Sequence, residues 1–339
     1  MLHEIPPAEW DERLDLHGLT DAYLSRGYLV ASAELDAGAA TLLVLESGGG
    51  GVAFPLLVRS IPDHNGLRDA TSPYGYGGPI GFGGTPPWEA FHAAYERWCR
   101  DNRIVSTFVR FHPLYENQRH AAPLMRVESL RGTVGWRIDP ERDILAQLHE
   151  NHRRSVTHGY RRGLRVAEKQ VEDDGMAGFR ALYQSTMERA GAAAFYHFPD
   201  AYWHSLRAGL GPDLSLAEIS DERGEVLAAA LLLRTPPWLH YHLGASTLEG
   251  RRVGATAALF VSVARSAQEE GFRVFHLGGG IGGSADSLLR FKLRFDPGGL
   301  RESAIGKQIH DVDVYRRLTG MSDTSGYFPS YRMGRATDG

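Results

Sequence analysis

Leu214-Ser-Leu-Ala-Glu-Ile-Ser-Asp-Glu-Arg-Gly-Glu-Val-Leu-Ala-Ala-Ala-Leu-Leu-Leu-Arg-Thr-Pro-Pro-Trp-Leu-His-Tyr-His-Leu243 holds three strand-length apolar runs separated by turn residues. Ser220 to Gly224 is polar and ends in glycine, the composition of a hairpin turn. Val226 to Leu233 has the length and apolarity of a buried strand, and Thr235-Pro-Pro237 breaks it. Trp238 to Leu243 is the third strand, and Gly244 to Gly250 reads as a loop. Beyond the loop, Ala257, Phe260, Val261 and Ala264 recur at spacings of three and four. This predicts a helix from about Val253 to Glu270, stopped by Gly271. Val274 to Leu277 is a short strand running into Gly278-Gly-Gly-Ile-Gly-Gly283. One more helix is predicted over Ser287 to Leu293, with Ser284 or Asp286 as its cap.

The N-terminal half repeats this order. Thr41 to Leu45 and Val52 to Val58 flank a turn, and a loop rich in glycine and tyrosine follows from Ser72 to Gly81. Pro87 and Trp88 open a helix to about Arg100, and Ile104 to Phe111 is the next strand. Hairpin, loop, helix, strand therefore occurs twice, as in a duplicated domain and not a short-repeat solenoid. The expected fold class is α+β: two tandem domains, each a mixed, mostly antiparallel sheet flanked by helices. Trp136-Arg-Ile138 reads as a closing strand and Pro140 as the start of a short helix. The expected domains are residues 1–145, joined by residues 310–339, and residues 146–309, the second holding the site.

Composition narrows the function. The chain has 37 Lys and Arg against 41 Asp and Glu, a net charge of −4, so no global cationic field draws in nucleic acid or membrane. Hydrophobic residues make up 42%, enough for packed cores. Glycine accounts for 40 of the 339 residues, so tight turns are expected. The lone Cys99 excludes an intrachain disulfide and any multi-cysteine metal cluster. It lies beside Trp98 in a helix and reads as core. The first residues lack a basic stretch followed by an apolar one, and no run of about 18 apolar residues occurs. The expected location is cytoplasmic, without membrane insertion.

Three stretches could carry chemistry. Gly278-x-Gly280-x-x-Gly283, with Glu302 further on, has the letters of a dinucleotide fingerprint, but the strands before it read as antiparallel. A loop of close backbone approach is the simpler reading. Asn151 to Arg165 holds five arginines and no acid. On a helix, Arg154, His158, Arg161, Arg162 and Arg165 share one face, either solvated or a phosphate-contacting stripe for RNA or a nucleotide. Phe291-Lys292-Leu-Arg-Phe295 places an ammonium between apolar neighbours, where it is either structural or able to hold a developing oxyanion. His149-x-x-His152 and His240-x-His242 each offer a pair of ligands without a third, so no metal is expected. No serine nucleophile elbow or P-loop occurs. Tyr74 and Tyr76 line a ligand pocket or cover the core.

Three antiparallel strands, helix, strand and glycine loop resemble the acyltransferase fold of the Gcn5-related (GNAT) superfamily. A tandem pair, with an arginine-rich helix opening the second domain, resembles the Fem family. The matching residues are Arg153-Arg154; Leu182-Tyr183 with Thr186, Arg189, Phe195 and Tyr202; His240 to Ser246; Leu277-Gly-Gly279; Phe291-Lys292 with Phe295; and Tyr74-Gly-Tyr-Gly-Gly78. The resemblance implies a transferase that forms an amide from aminoacyl-tRNA and an amine, on a small natural product or a peptidoglycan precursor, without a cofactor. It implies a catalytic role for Lys292, with Phe291 beside it. Arg189, Tyr241 and His242 would line the acceptor groove, with Tyr74 and Tyr76 binding substrate from the first domain. Arg153, Arg154, Arg161 and Arg162 would face tRNA. The chain departs from the family in lacking a long helical hairpin that docks tRNA. A pyrophosphate loop of the acyl-CoA type is only partly matched, by Arg251-x-x-Gly254-x-Thr256, where the threonine would crowd the backbone amides. An acyl-CoA-dependent N-acyltransferase and a non-catalytic binding protein are the alternatives.

Overall fold

The computed structural model describes residues 1–161, 163–171, 175–193, 196–280 and 287–333. It divides into two compact units. The first comprises Met1–Leu130, Phe198–Gly209 and Glu302–Gly339, and the second Arg131–His197 and Leu210–Arg301. In chain order the first stretch contains β1 (Leu2–Glu4), α1 (Trp10–Asp15), α2 (Arg26–Asp36), β2 (Gly38–Ser47), β3 (Gly50–Ser60), β4 (Arg68–Thr71), β5 (Ile80–Gly83), α3 (Trp88–Asp101) and β6 (Ile104–Arg110). Then come β7 (Arg126–Arg137), α4 (Ile144–Gln147), α5 (Glu150–Arg161), β8 (Arg165–Gln170), α6 (Ala177–Ala190) and α7 (Asp200–Leu210). They are followed by β9 (Leu214–Ser220), β10 (Val226–Thr235), β11 (Trp238–Ser246), α8 (Leu248–Val253), α9 (Ala255–Glu269), β12 (Val274–Gly279) and α10 (Ser287–Leu293). The last described strand and α-helix are β13 (Leu300–Ile309) and α11 (Val312–Thr319).

Within each unit the strands run in mixed directions. In the first the order is β1-β2-β3-β4-β6-β13, with β5 also on β3, and every pair is antiparallel except β4–β6. Its core packs α3, through Phe91 and Tyr95, onto Phe54 and Phe111. In the second the order is β7-β12-β11-β10-β9-β8, and the parallel pair is β11–β12. Its core buries α9, through Ala257, Phe260, Val261 and Ala264, with Trp136, Phe275 and Phe295. The duplicated α+β architecture expected from the sequence is therefore present. Among the described residues no helix is long and apolar enough to cross a membrane.

The boundaries differ from those expected, for identifiable reasons. Arg131 to Arg137 belongs to the second unit because Trp136 on β7 pairs with Phe275 on β12. The division therefore falls at residue 131 and not at 146. Glu302 to Ile309 belongs to the first unit, because β13 pairs with β6 at Ile305↔Arg110. The excursion Phe198–Gly209, which no sequence pattern announces, returns to the first unit through a glycine–glycine crossing. A Cβ on Gly27 of α2 would lie 2.0 Å from the Gly209 carbonyl oxygen of α7. The helix predicted from about Val253 to Glu270 is α9, but the stretch read as loop before it leads into a further short helix: Thr247 caps α8 by accepting from the Gly250 amide at 2.8 Å, and Gly254 (φ 73°) turns the chain from α8 into α9.

The glycine crossing gives a stability test. Gly27→Ala would force α2 and α7 apart and should destabilise the protein by roughly 3 kcal/mol, the upper range for overpacking. Gly178 of α6 has nothing within 4 Å of a built Cβ, so Gly178→Ala should be neutral or stabilise by a few tenths of a kcal/mol. Denaturant unfolding of both variants beside the parent measures the contrast.

Candidate active site

The parallel strands β11 and β12 pair only briefly. The register runs Trp238↔Val274, Leu239↔Phe275 and His240↔His276, and among the described residues it ends there. Each strand then carries an irregularity against its outer neighbour. Leu231 and Leu232 of β10 face Leu243 and Tyr241, leaving His242 bulged out of the ladder. His276 and Gly278 of β12 face Gly135 and Val134, leaving out Leu277. Bulges bend a strand and re-aim its side chains, and here two of them open a fork immediately past His240 and His276.

Lys292 lies in that fork. Its side chain comes from α10 and is 5% exposed. Nζ donates to the Gly279 carbonyl oxygen of β12 at 2.6 Å and lies 5.3 Å from the centre of the Tyr241 ring on β11. One ammonium thus touches both separated strands.

The helix that presents Lys292 is fixed from α5. His152, 4% exposed, donates from Nε2 to the Phe291 carbonyl at 2.9 Å, and the His149 amide donates to the Arg294 carbonyl at 3.0 Å. Burial pushes the His152 imidazole down to about 4, outweighing the Phe291 hydrogen bond, and Arg294 and His149 push it further the same way. It is therefore a neutral donor at physiological pH. Phe291 and Phe295 clasp its ring at 4.9 and 4.4 Å between centroids. Under the fork, His240 and His276 meet Nδ1 to Nδ1 at 3.1 Å, and His276 Nε2 reaches Thr133 Oγ1 at 3.0 Å. Burial, then His240, pushes the His242 imidazole down to about 3, and burial raises the Tyr241 phenol to about 12. Both are neutral near pH 7.

Of the residues singled out by sequence, Lys292, Tyr241 and His242 come together at the fork. Phe291 does not join them as a chemical group: its ring packs on the core of the second unit and its carbonyl holds His152. Arg189 is exposed on α6, and its guanidinium is bonded to the Ser246 carbonyl at 2.5 Å and to Thr186 Oγ1 at 3.0 Å, tying α6 to the end of β11. Tyr74 and Tyr76 belong to the first unit, where Tyr74 packs on Phe198 and Tyr76 on Tyr23. Arg153 and Arg154 are exposed on α5, Arg154 paired with Glu150 at 2.5 Å. Arg162 and the side chain of Arg161 lie outside the described residues, as do Phe195 and residues 281–283 of the glycine loop.

Sequence reasoning missed His152 and His276 as parts of the site. It also passed over a compositional signal: only three of the 37 Lys and Arg are lysines, namely Lys169, Lys292 and Lys307. Lys169 is half-exposed and paired with Glu218, whereas Lys292 and Lys307 are buried, Lys307 beside Glu128.

Comparison with known proteins places these features in a family context. Residues 146–292 match a family model described as an acetyltransferase (GNAT) domain, from just before α5 to Lys292 itself. No curated protein sequence matches the chain. A crystal structure of FemX superposes with a TM-score of 0.69 at 14% identity, covering 94% of this chain and 99% of that one. The structure of L-PGS from Bacillus licheniformis gives 0.57 at 12% identity, covering 90% and 93%. A tandem GNAT protein from the clavulanic acid biosynthesis pathway gives 0.52 at 13%, covering 91% and 98%. The chain has a Fem-like tandem GNAT fold.

The depressed His152 sets a pH dependence. An unfolded histidine titrates near 6.5. As pH falls from about 6.5 to 4, the unfolded chain takes up a proton at residue 152 that the folded chain resists. Stability should therefore be full above that window and fall through it, by up to roughly 3 kcal/mol from this group. His152→Gln, which keeps a donor but cannot titrate, should flatten the slope by about one proton, measured by denaturant melts from pH 4 to 8.

Proposed function

We propose that the chain is an aminoacyltransferase that forms an amide bond between an amino acid delivered by aminoacyl-tRNA and the amine of a small natural product or peptidoglycan precursor. The observation that carries this reading is the Lys292 ammonium, held in the β11–β12 fork by a carbonyl and a ring face. The neutral acceptor amine attacks the ester carbonyl, a C–N bond forms, and charge builds on the carbonyl oxygen. Lys292 meets that charge in a site of low dielectric, where a preoriented cation is worth far more than in water. The C–O bond to the ribose then breaks, and the proton lost by the amine ends on the released hydroxyl. The rest of catalysis is alignment of two substrates.

Two further features support tRNA as donor. The charge is divided unevenly between the units. The first has 16 Lys and Arg against 22 Asp and Glu, whereas the second has 21 against 19, with exposed Arg153 and Arg154 on α5. The second feature concerns the start of α9, where Arg251-x-x-Gly254-x-Thr256 falls. A Cβ on Gly254 would lie 2.4 Å from Ser155 Oγ, so α5 sits on the turn between α8 and α9. A pyrophosphate would compete with it there. No described helix exceeds the 15 residues of α9, which suits a small acceptor better than a docked hairpin.

The GNAT family match favours an acyl-CoA donor as the second reading. Titration calorimetry with acetyl-CoA, beside mass spectrometry of candidate amines with a charged-tRNA pool, separates the two. Amide made only with charged tRNA, and no CoA binding, is expected. Micromolar CoA binding with acyl product would replace the proposal, and no product from either donor would leave a binding protein.

Lys292→Met should lower kcat by about 10² to 10³ with KM nearly unchanged, as for loss of one oxyanion donor. Replacing Arg153 and Arg154 by alanine should instead weaken the donor's apparent affinity. It should also reduce the slope of log affinity against log salt by about one to two.

A further inference from the structure

The resemblance to the Fem family assigns Tyr241 to the acceptor groove, but the structure gives its ring a different neighbour. The Tyr241 ring is bracketed on three sides. One contact is Phe260 of α9, edge to face at 4.8 Å between centroids. Another is the Lys292 ammonium, 5.3 Å from the ring centre. Along its own strand the ring lies against the backbone of Gly244, where an added Cβ would fall 1.8 Å from the phenol oxygen and 2.4 Å from Cζ. The ring therefore lies along β11 past the bulge at His242, and it can do so only because residue 244 has no side chain.

We infer that Tyr241 is a positioning residue for Lys292, its π face holding the ammonium in the fork and keeping it protonated, with Gly244 leaving the room that lets the ring lie flat. A cation within about 6 Å of a ring centre is attracted by the ring quadrupole, most strongly where water is excluded. A lysine that is 5% exposed meets that condition. Desolvation works the other way, favouring the neutral amine, which could neither hold an oxyanion nor donate to it. Among the described residues, the titratable groups on the elements around the ammonium are His240, Tyr241 and His242 on β11, His276 on β12, Arg290 on α10 with Arg294 just beyond it, and His149 and His152 where α5 meets α10. The ring face and the Gly279 carbonyl favour the charged form.

The phenol oxygen has no part in this role, which sets the test. The inference takes Lys292 to be the working cation of the proposed reaction, but it is read out without any reaction. Lysine labelled with nitrogen-15 at Nζ gives only three side-chain signals in this chain, and Lys292→Met identifies the one from residue 292. The full-length protein is titrated by NMR with phenylalanine at 241, then with 4-fluoro-, 3,5-difluoro- and pentafluorophenylalanine, which keep the shape and progressively cancel the negative ring face. Tyr241→Phe should leave the Lys292 titration in place. Fluorination should lower it stepwise, reaching about one pH unit for the fully fluorinated ring. Gly244→Ala, which displaces the ring by another route, should lower it in the same direction. A midpoint that stays constant along the series, or an ammonium that no variant deprotonates by about pH 11, would overturn the inference. If the titration moves but Lys292→Met leaves turnover intact, the cradle stands and the proposed chemistry fails. If Lys292 is needed for turnover and the titration does not move, the opposite holds.

Discussion

Two parallel strands that pair for three residues and then separate create the constraint on which the second unit depends. Neither β11 nor β12 can satisfy the other beyond His240 and His276. The opened backbone must find other partners, or water, or a ligand. Lys292 supplies one partner by donating to Gly279. The bulges at His242 and Leu277 keep the strands apart, so the position of the ammonium follows from backbone geometry and not from a flexible side chain choosing a place. The neutral His152 completes this by holding the helix that carries the lysine through one carbonyl.

The first unit shows what the same plan looks like when the fork is closed. Its parallel pair, β4 and β6, runs Arg68↔Ile104, Ala70↔Thr107 and Thr71↔Phe108, and the contact resumes at Gly77↔Phe111. Asn117 seals that end by donating to the Gly77 and Pro79 carbonyls at 2.9 and 3.1 Å. One copy of the duplicated fold thus fills the gap with its own backbone and an amide, and the other fills it with a cation. The difference accounts for the chemistry being read in the second unit, where the GNAT match also lies.

Much of this was legible in the sequence because local signals agreed with the final structure. Leu214 to Leu243 became three strands where periodicity and Thr235-Pro-Pro237 said they would, and α10 begins and ends at the expected residues. The failures have a common cause, which is information carried by contacts distant in sequence. No pattern near Phe198 reveals that Gly209 will meet Gly27, and nothing near Trp136 says that its partner is Phe275. The short α8 was read as loop because its six residues, between the Thr247 cap and the left-handed Gly254, are too few for helical spacing to show. Lys292 stood out in the sequence by its apolar neighbours, and the resemblance to the Fem family brought Phe291 in with it; on a helix adjacent residues point in different directions, and the Phe291 ring packs on the core. His152 was legible only as half of a possible metal pair, since the carbonyl it bonds lies 139 residues away.

The central claim is that Lys292 recognises charge on the reacting oxygen and not the resting substrates. A stable phosphonate carrying the donor's adenosine end mimics the anionic tetrahedral carbon, and the corresponding neutral amide mimics the product. Calorimetric binding of both to the parent and to the Lys292→Met protein tests the claim directly. The account predicts that the parent prefers the phosphonate by about 10² or more and that the variant loses that preference while binding the amide as before. An equal preference in both proteins would mean that the ammonium does not face the developing charge, and would contradict the account.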